Sequence, residues 1–301
     1  MEIRNVGVLG CGTMGSGIAH AILKAGYNVI ALEVEQKFLD AGLADIEKAL
    51  SRDVQKGVVS QGEKERLRSK MKGTIKIEDL KNCDLIVEAV FEDFDVKAKL
   101  FKELDSLCLS EAIFCSNTSS LSISELAALT NRKECFFGLH FFNPVAVMKL
   151  VEVVYTLASD REIMNKIIDF AKTLGKVPII AKDYTGFIVN LLSTPYLFDA
   201  IRLLSEGLGS VEDIDNGMKL GCGHPMGPLA LADFIGLDLL YQSGNKLFAE
   251  YKEKRYAPPP LLEKMVTTGF LGKKSGKGFY DWSDPKNPIP HDIFEKRKIN
   301  F

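Results

Sequence analysis

The chain holds 301 residues, with 38 Lys and Arg against 40 Asp and Glu and a formal net charge of -2. That balance supplies no overall field for nucleic acid or an anionic membrane. With 46% hydrophobic and 26% charged residues the composition is globular rather than disordered or fibrous, and at this length two domains are expected.

Val6-Gly7-Val8-Leu9 predicts a first strand, residues 16–24 a helix and residues 27–32 a second strand, which together make a βαβ unit. Residues 36–72 turn polar and helical, with Gly57 and Gly62 dividing them into an inserted helical hairpin. Strands are predicted at 74–77, 84–90, 112–115 and 136–139, alternating with helices near 97–107 and 122–129. Strands at 150–155 and 176–180, flanking a helix at 160–174, extend the sheet. Alternation of this kind predicts an α/β fold, a doubly wound Rossmann-type parallel sheet over residues 1–184. Beyond Gly186 the strand pattern stops, and helices are predicted at 187–204, 211–220, 228–240 and 260–267, so residues 185–301 read as an all-α domain. A basic, glycine-rich loop at 272–278 and an extended polar tail at 285–301 complete it. These apolar helices exceed what one small domain buries, so a homodimer is expected.

Six cysteines, Cys11, Cys83, Cys108, Cys115, Cys135 and Cys222, lack C-x-x-C spacing, which suits reduced thiols in a cytoplasmic compartment and argues against a zinc or disulfide framework. The first residues run directly into an apolar strand, without the parts of a secretory signal. No apolar run approaches the roughly 20 residues of a membrane helix. Neither metal, membrane nor nucleic-acid partners are expected.

Gly10-x-Gly12-x-x-Gly15 follows a strand and opens a helix. Gly10 permits the tight turn, Gly12 lets backbone approach a pyrophosphate, and Gly15 allows close helix packing, while Thr13 and Met14 begin the helix whose amino end faces the phosphates. Glu33 ends the second strand, placed to accept hydrogen bonds from ribose hydroxyls and to repel a 2′-phosphate. No arginine follows in Val34-Glu35-Gln36, so NAD is expected over NADP.

Gly138-Leu139-His140-Phe141-Phe142-Asn143-Pro144 puts a histidine at the end of an apolar strand. An imidazole titrates near neutrality, so His140 reads as an acid/base, with a buried structural histidine as the alternative. Glu152 lies within Leu150-Val151-Glu152-Val153-Val154, where a carboxylate requires a partner. Pairing with His140 would orient the ring; a glutamate on an edge strand facing water is the other reading. Ser119 reads either as a site residue or as part of a helix-capping turn. Asn190, inside the apolar Ile188-Val189-Asn190-Leu191-Leu192, reads as a site residue or an interhelical bond. Arg52 and Lys56, one helical turn apart, suit an anionic ligand or a solvated face, and Lys277 offers a further cation.

Taken together, Ser116-Asn117-Thr118-Ser119-Ser120-Leu121-Ser122-Ile123, Gly138 to Pro144 and Met148 to Val153 closely resemble the 3-hydroxyacyl-CoA dehydrogenase family, in particular its bacterial 3-hydroxybutyryl-CoA members. The resemblance runs from Val6 through Tyr280, including Val211-Glu212-Asp213-Ile214-Asp215 and Gly227-Pro228-Leu229. It implies hydride transfer between NAD and C3 of a short-chain (S)-3-hydroxyacyl-CoA. It also implies that Ser119 and Asn190 hydrogen-bond the 3-oxygen, His140 is the acid/base, Glu152 orients it, and Glu92, Lys97, Asn117 and Asn143 lie near the nicotinamide and its ribose. The sequence departs from the family pattern at Leu191, in place of a common arginine, at Glu33, in place of a more frequent aspartate, and at Pro258-Pro259-Pro260. Two rivals remain open: a dehydrogenase of another 3-hydroxy acid, and an idle NAD-binding, crystallin-like protein.

Overall fold

The computed structural model describes residues 2–291. The chain divides into two compact units, Met1–Phe187 and Ile188–Phe301.

In the first unit eight strands form one sheet: β1 (Asn5–Leu9), β2 (Asn28–Leu32), β3 (Met71–Thr74), β4 (Leu85–Glu88), β5 (Ile113–Ser116), β6 (Phe136–Phe141), β7 (Leu150–Tyr155) and β8 (Val177–Lys182). Their spatial order is β3-β2-β1-β4-β5-β6-β7-β8. Every neighbouring pair is parallel except β6 and β7, which run antiparallel. The order reverses at β1, the switch point at which open α/β sheets bind ligands beyond their carboxyl ends.

Both faces of the inner strands are covered, which is why they read as nearly unbroken apolar runs, whereas the edge strand β8 leaves Val177 and Ile180 exposed. Val6, Val8, Val87, Cys115, Leu139, Val151 and Val153 pack on one side with Ile18 and Ile22 of α1 (Thr13–Lys24) and Ile167 of α6 (Arg161–Thr173). Ile86, Phe114, Phe136 and Val154 pack on the other with Phe101 and Leu104 of α4 (Phe94–Leu107) and Leu126 of α5 (Ile123–Ala128). The alternation follows the two-residue period of the strands. The hairpin insertion consists of α2 (Gln36–Gln55) and α3 (Gln61–Ser69). Gly57, at φ 69°, breaks the chain after α2, but Gly62 lies inside α3, whose start is set by Ser60 accepting from Glu63 N. The strand predicted at 74–77 is displaced: β3 ends at Thr74, whose hydroxyl donates to Asp79 and accepts from Lys76 N, turning the chain into a short 3-10 segment.

The second unit holds α7 (Val189–Ser205), α8 (Val211–Cys222), α9 (Pro228–Ile235), α10 (Leu237–Tyr251) and α11 (Pro260–Thr267). The single helix expected at 228–240 is two, because Gly236 at φ 106° ends α9 and α10 then continues to Tyr251. Two carboxylates organise this unit. Asp215 accepts from Leu229 N, Ala230 N and the Tyr280 hydroxyl. Asp233, fully buried, accepts from Phe279 N, Tyr280 N and Trp282 Nε1. Burial pushes its carboxyl up to about 6, against the pull of those donors. A Cβ on Gly278 would stand 2.0 Å from Asp233 Oδ1. The glycine-rich loop is therefore shaped to wrap this carboxylate.

The polar tail expected from residue 285 is in part a strand: β10 (Ile289–Pro290) pairs antiparallel with β9 (Tyr280–Asp281), and His291 N donates to Phe279 O. The remainder of that predicted tail, 292–301, lies outside the described residues.

Candidate active site

At the first βα turn, the glycines do what the spacing requires. A Cβ on Gly10, at φ 85°, would meet Ala89 O at 2.7 Å, and one on Gly15 would meet Gly10 O at 1.8 Å. A Cβ on Gly12 would meet nothing within 4 Å, so the backbone there faces open space. The amino end of α1 has no side-chain cap and no acidic residue in its first turn, leaving the amides at Thr13 and Met14 and the positive end of the helix dipole for an anion. Glu33, half-buried beyond β2, accepts from Cys11 N at 2.7 Å and Val34 N at 3.0 Å, which holds its carboxylate against the glycine turn. A cavity of about 340 Å³ lined by Gly10, Glu33, Val34, Ile75, Ile77 and Val90 adjoins it. These residues fit a dinucleotide.

Further along the carboxyl edge a row of residues crosses one face of the sheet: Glu88 beside Ser116, Ser116 beside Gly138, and Gly138 opposite Val154. One pleat onward on that face, His140 stands directly opposite Glu152 across the antiparallel pair. Nδ1 of His140 lies 2.7 Å from Glu152 Oε2, with the histidine 7% exposed and the glutamate 0%. The reading of Glu152 as a solvent-facing edge residue is thus excluded. Gly138, one pleat before the pair, makes room for Val154 and Ile123, since a Cβ there would come within 2.7 Å of Val154 Cβ. The rings of Phe142 and Phe187 lie 4.6 and 5.7 Å from the imidazole. Phe187 holds φ 47°, left-handed backbone that a bulky residue rarely adopts.

The loop after β5 carries Asn117 and Ser119. Asn117 Oδ1 accepts from Phe141 N, tying the loop to the residue after His140. Ser119 does not cap the next helix: Ser122 does, accepting from Glu125 N, while Asp183 accepts from Ile123 N and Ser124 N. The half-buried Ser119 hydroxyl has no protein partner among the described residues. Glu92 accepts from Thr118 and Ser120, and Lys97, 1% exposed, bridges Glu92 to Glu88. Burial pushes the Glu88 carboxyl up, opposed by the Lys97 ammonium. Asn143 is exposed on the connection to β7.

Arg52 and Lys56 lie at the end of α2, both exposed and without an ion-pair partner among the described residues. Between them Asp53 binds His20 Nε2 at 2.8 Å and Lys24 Nζ at 3.0 Å, securing this end of the hairpin to α1. Burial pushes the His20 imidazole down, against the Asp53 carboxylate. Asn190, half-buried, is the second residue of α7 in the other unit. Lys277 lies 4.9 Å over the Phe270 ring, Lys273 faces Phe234 and Trp282, and Lys274 pairs with Asp238, so the cations of that loop are engaged within their own unit. Glu88, Asp53 and His20 went unread in the sequence, and Ser116 and Thr118 entered only as part of a motif, without their contacts. For Glu88 a signal existed: a carboxylate closing the apolar run Leu85-Ile86-Val87 needs a partner for the same reason that Glu152 does.

A dinucleotide cradle and a buried imidazole–carboxylate pair on one sheet edge define the class as an NAD-dependent dehydrogenase. Residues 5–184 match the family model described as 3-hydroxyacyl-CoA dehydrogenase, NAD binding domain, and residues 186–282 match its C-terminal domain. The chain belongs to the 3-hydroxyacyl-CoA dehydrogenase family. It is 45% identical over 282 residues to a 3-hydroxybutyryl-CoA dehydrogenase of Mycobacterium tuberculosis, covering 93% of this chain and 99% of the relative. It is 41% identical over 290 residues to the mitochondrial hydroxyacyl-coenzyme A dehydrogenase of Sus scrofa, covering 93% and 91%. The crystal structure of (S)-3-hydroxybutyryl-CoA dehydrogenase from Ralstonia eutropha superposes with a TM-score of 0.88 at 42% identity, covering 92% and 98%.

Because a Cβ at position 15 has no room beside Gly10 O, Gly15→Ala should displace the turn and weaken NADH binding by about tenfold or more, a loss of at least ~1.4 kcal/mol. Fluorescence titration checks this, and unchanged affinity would refute the assignment of the cradle.

Proposed function

We propose that the protein interconverts (S)-3-hydroxybutyryl-CoA and acetoacetyl-CoA with NAD, in keeping with its bacterial 3-hydroxybutyryl-CoA dehydrogenase relatives. The observation that carries this reading is the buried His140–Glu152 pair. When bound, NAD supplies the hydride acceptor for C3 of the alcohol. As the C3 hydride leaves, the substrate O–H bond breaks and its proton passes to Nε2 of His140, leaving a C3 carbonyl; the reverse reaction returns the proton. Nδ1 is committed to Glu152, so the ring donates through Nδ1 and keeps Nε2 for the substrate. The imidazolium then forms beside a buried carboxylate that stabilises it. The Ser119 hydroxyl is available to bind the 3-oxygen, and by resemblance Asn190 is assigned the same role. Glu33 is assigned the adenosine ribose, and Glu92, Asn117 and Asn143 the nicotinamide side, with Lys97 acting behind Glu92.

Recombinant protein mixed with acetoacetyl-CoA and NADH should consume NADH. His140→Gln should lower kcat by about 10²–10⁴-fold, the usual contribution of a positioned acid/base, with the fold retained. Faster turnover of a free 3-hydroxy acid, or NAD binding without turnover, would establish one of the two rivals instead.

Arg52 and Lys56 are assigned to the CoA phosphates on account of their exposed, unpaired charges. Replacing both by Ala should raise KM for acetoacetyl-CoA several-fold, more at low than at high salt, while KM for NADH holds. Equal effects on both substrates would remove them from the site.

The second unit exposes Leu192, Leu208, Leu220 and Leu239 at 66, 75, 83 and 52%. An apolar surface of this kind supports self-association, and a homodimer is proposed. Sedimentation at micromolar concentration should return the mass of two chains; a single-chain mass would overturn it.

A further inference from the structure

We infer that Glu88 is a positioning residue of this site, acting through Lys97 and Ser116 to hold the loop around Ser119; the inference rests on the function proposed above. Glu88 closes β4 at the centre of the sheet and is 0% exposed. Its carboxylate takes three donors: Lys97 Nζ at 2.5 Å, Ser116 Oγ at 2.6 Å and Val90 N at 2.7 Å. Ionised carboxylates are rarely buried so completely unless paired, and a wholly structural need at this position is met equally well by an apolar residue. What the charge adds is a route outward.

Lys97 Nζ also reaches Glu92 Oε2 at 3.2 Å, and Glu92 Oε1 accepts from Thr118 Oγ1 at 2.5 Å and Ser120 Oγ at 2.8 Å. On the inner side Ser116 Oγ, itself donating to Glu88, accepts from Thr118 N at 3.2 Å, and Glu88 O accepts from Asn117 N at 2.7 Å. Asn117 is therefore fastened to Glu88 directly, Thr118 through Ser116, and Ser120 through Glu92 and Lys97. Ser119 sits among them with its hydroxyl committed to none. Such a frame fixes the backbone on both sides of one side chain and leaves that side chain for a ligand. Lys97, at 1% exposure and with Glu88, Glu92 and the Val90 carbonyl around its ammonium, is part of the frame and acts through Glu92.

Glu88→Gln tests this, since it preserves shape and removes charge. In the full-length protein, amide hydrogen exchange over residues 116–121 should quicken by about tenfold or more while β1 and β2 stay protected. Unchanged exchange in the loop, or loss of protection throughout the sheet, would overturn the inference whether or not the wild type reduces acetoacetyl-CoA. With acetoacetyl-CoA, kcat should fall roughly ten- to a hundredfold, the scale expected of a misplaced contact, with KM for NADH little changed. The same substitution in a Ser119→Ala background should cost markedly less, because the loop no longer carries the group it positions. Equal losses in both backgrounds would reduce Glu88 to a structural role. If Glu88→Gln fails to fold, Ser116→Ala breaks the link from Glu88 to Thr118 N and should give the same non-additive loss; an additive one would overturn the inference. An inactive wild type with a loosened loop would instead sink the proposed reaction and leave the frame standing.

Discussion

The constraint on which the first unit depends is that the inner strands of its sheet are covered on both faces, so no carboxylate along them can turn to water. Glu88 and Glu152 have no exposed surface at all, and stranding an ion of either kind costs several kcal/mol even after relaxation. Each must carry its neutraliser with it. For Glu152 the partner is an imidazole, whose other ring nitrogen is left over. For Glu88 it is an ammonium held between two carboxylates. Two similar burials are thus neutralised in different ways, one by a ring with a second nitrogen to spare and the other by an ammonium shared with Glu92.

The second unit applies the same rule with backbone in place of side-chain cations. Asp215 and Asp233 are satisfied by four amides, a phenol and an indole, so charge-assisted hydrogen bonds replace ion pairs. The glycines at 227 and 278 are the counterpart of that arrangement, since any side chain there would collide with a carboxylate. This explains why a loop that looks like an anion site in sequence is not furnished as one: its backbone is spent on Asp233 and its lysines on aromatic rings and Asp238.

Much of this was legible in the residues. The glycine turn, the strand alternation and the stranded Glu152 each follow from local rules of sterics or solvation, which need no knowledge of what lies far off in sequence. What escaped notice depends on long-range partners. Glu88 meets Ser116 across 28 positions, His20 meets Asp53 across 33, and Asp233 meets Trp282 across 49, so the sequence around each carboxylate says that a partner is needed without naming it. The break at Gly236 was missed because apolar periodicity continues through it, and the turn at 75–80 because a threonine–aspartate bond, not hydropathy, bends the chain. The register of β6 on β7 was recoverable only once their antiparallel sense was known.

That sense has its own consequence. In a pleated pair, moving one strand by a single residue turns every side chain to the opposite face. Residues 142–149 alone join β6 to β7, so a deletion or insertion of one residue there that shifted the ladder would send Glu152 into the α1 and α6 core and bring Val151 or Val153 against the imidazole. The length of this short connection therefore decides whether His140 and Glu152 meet at all, and the proposed reaction depends on it without drawing on any of its atoms.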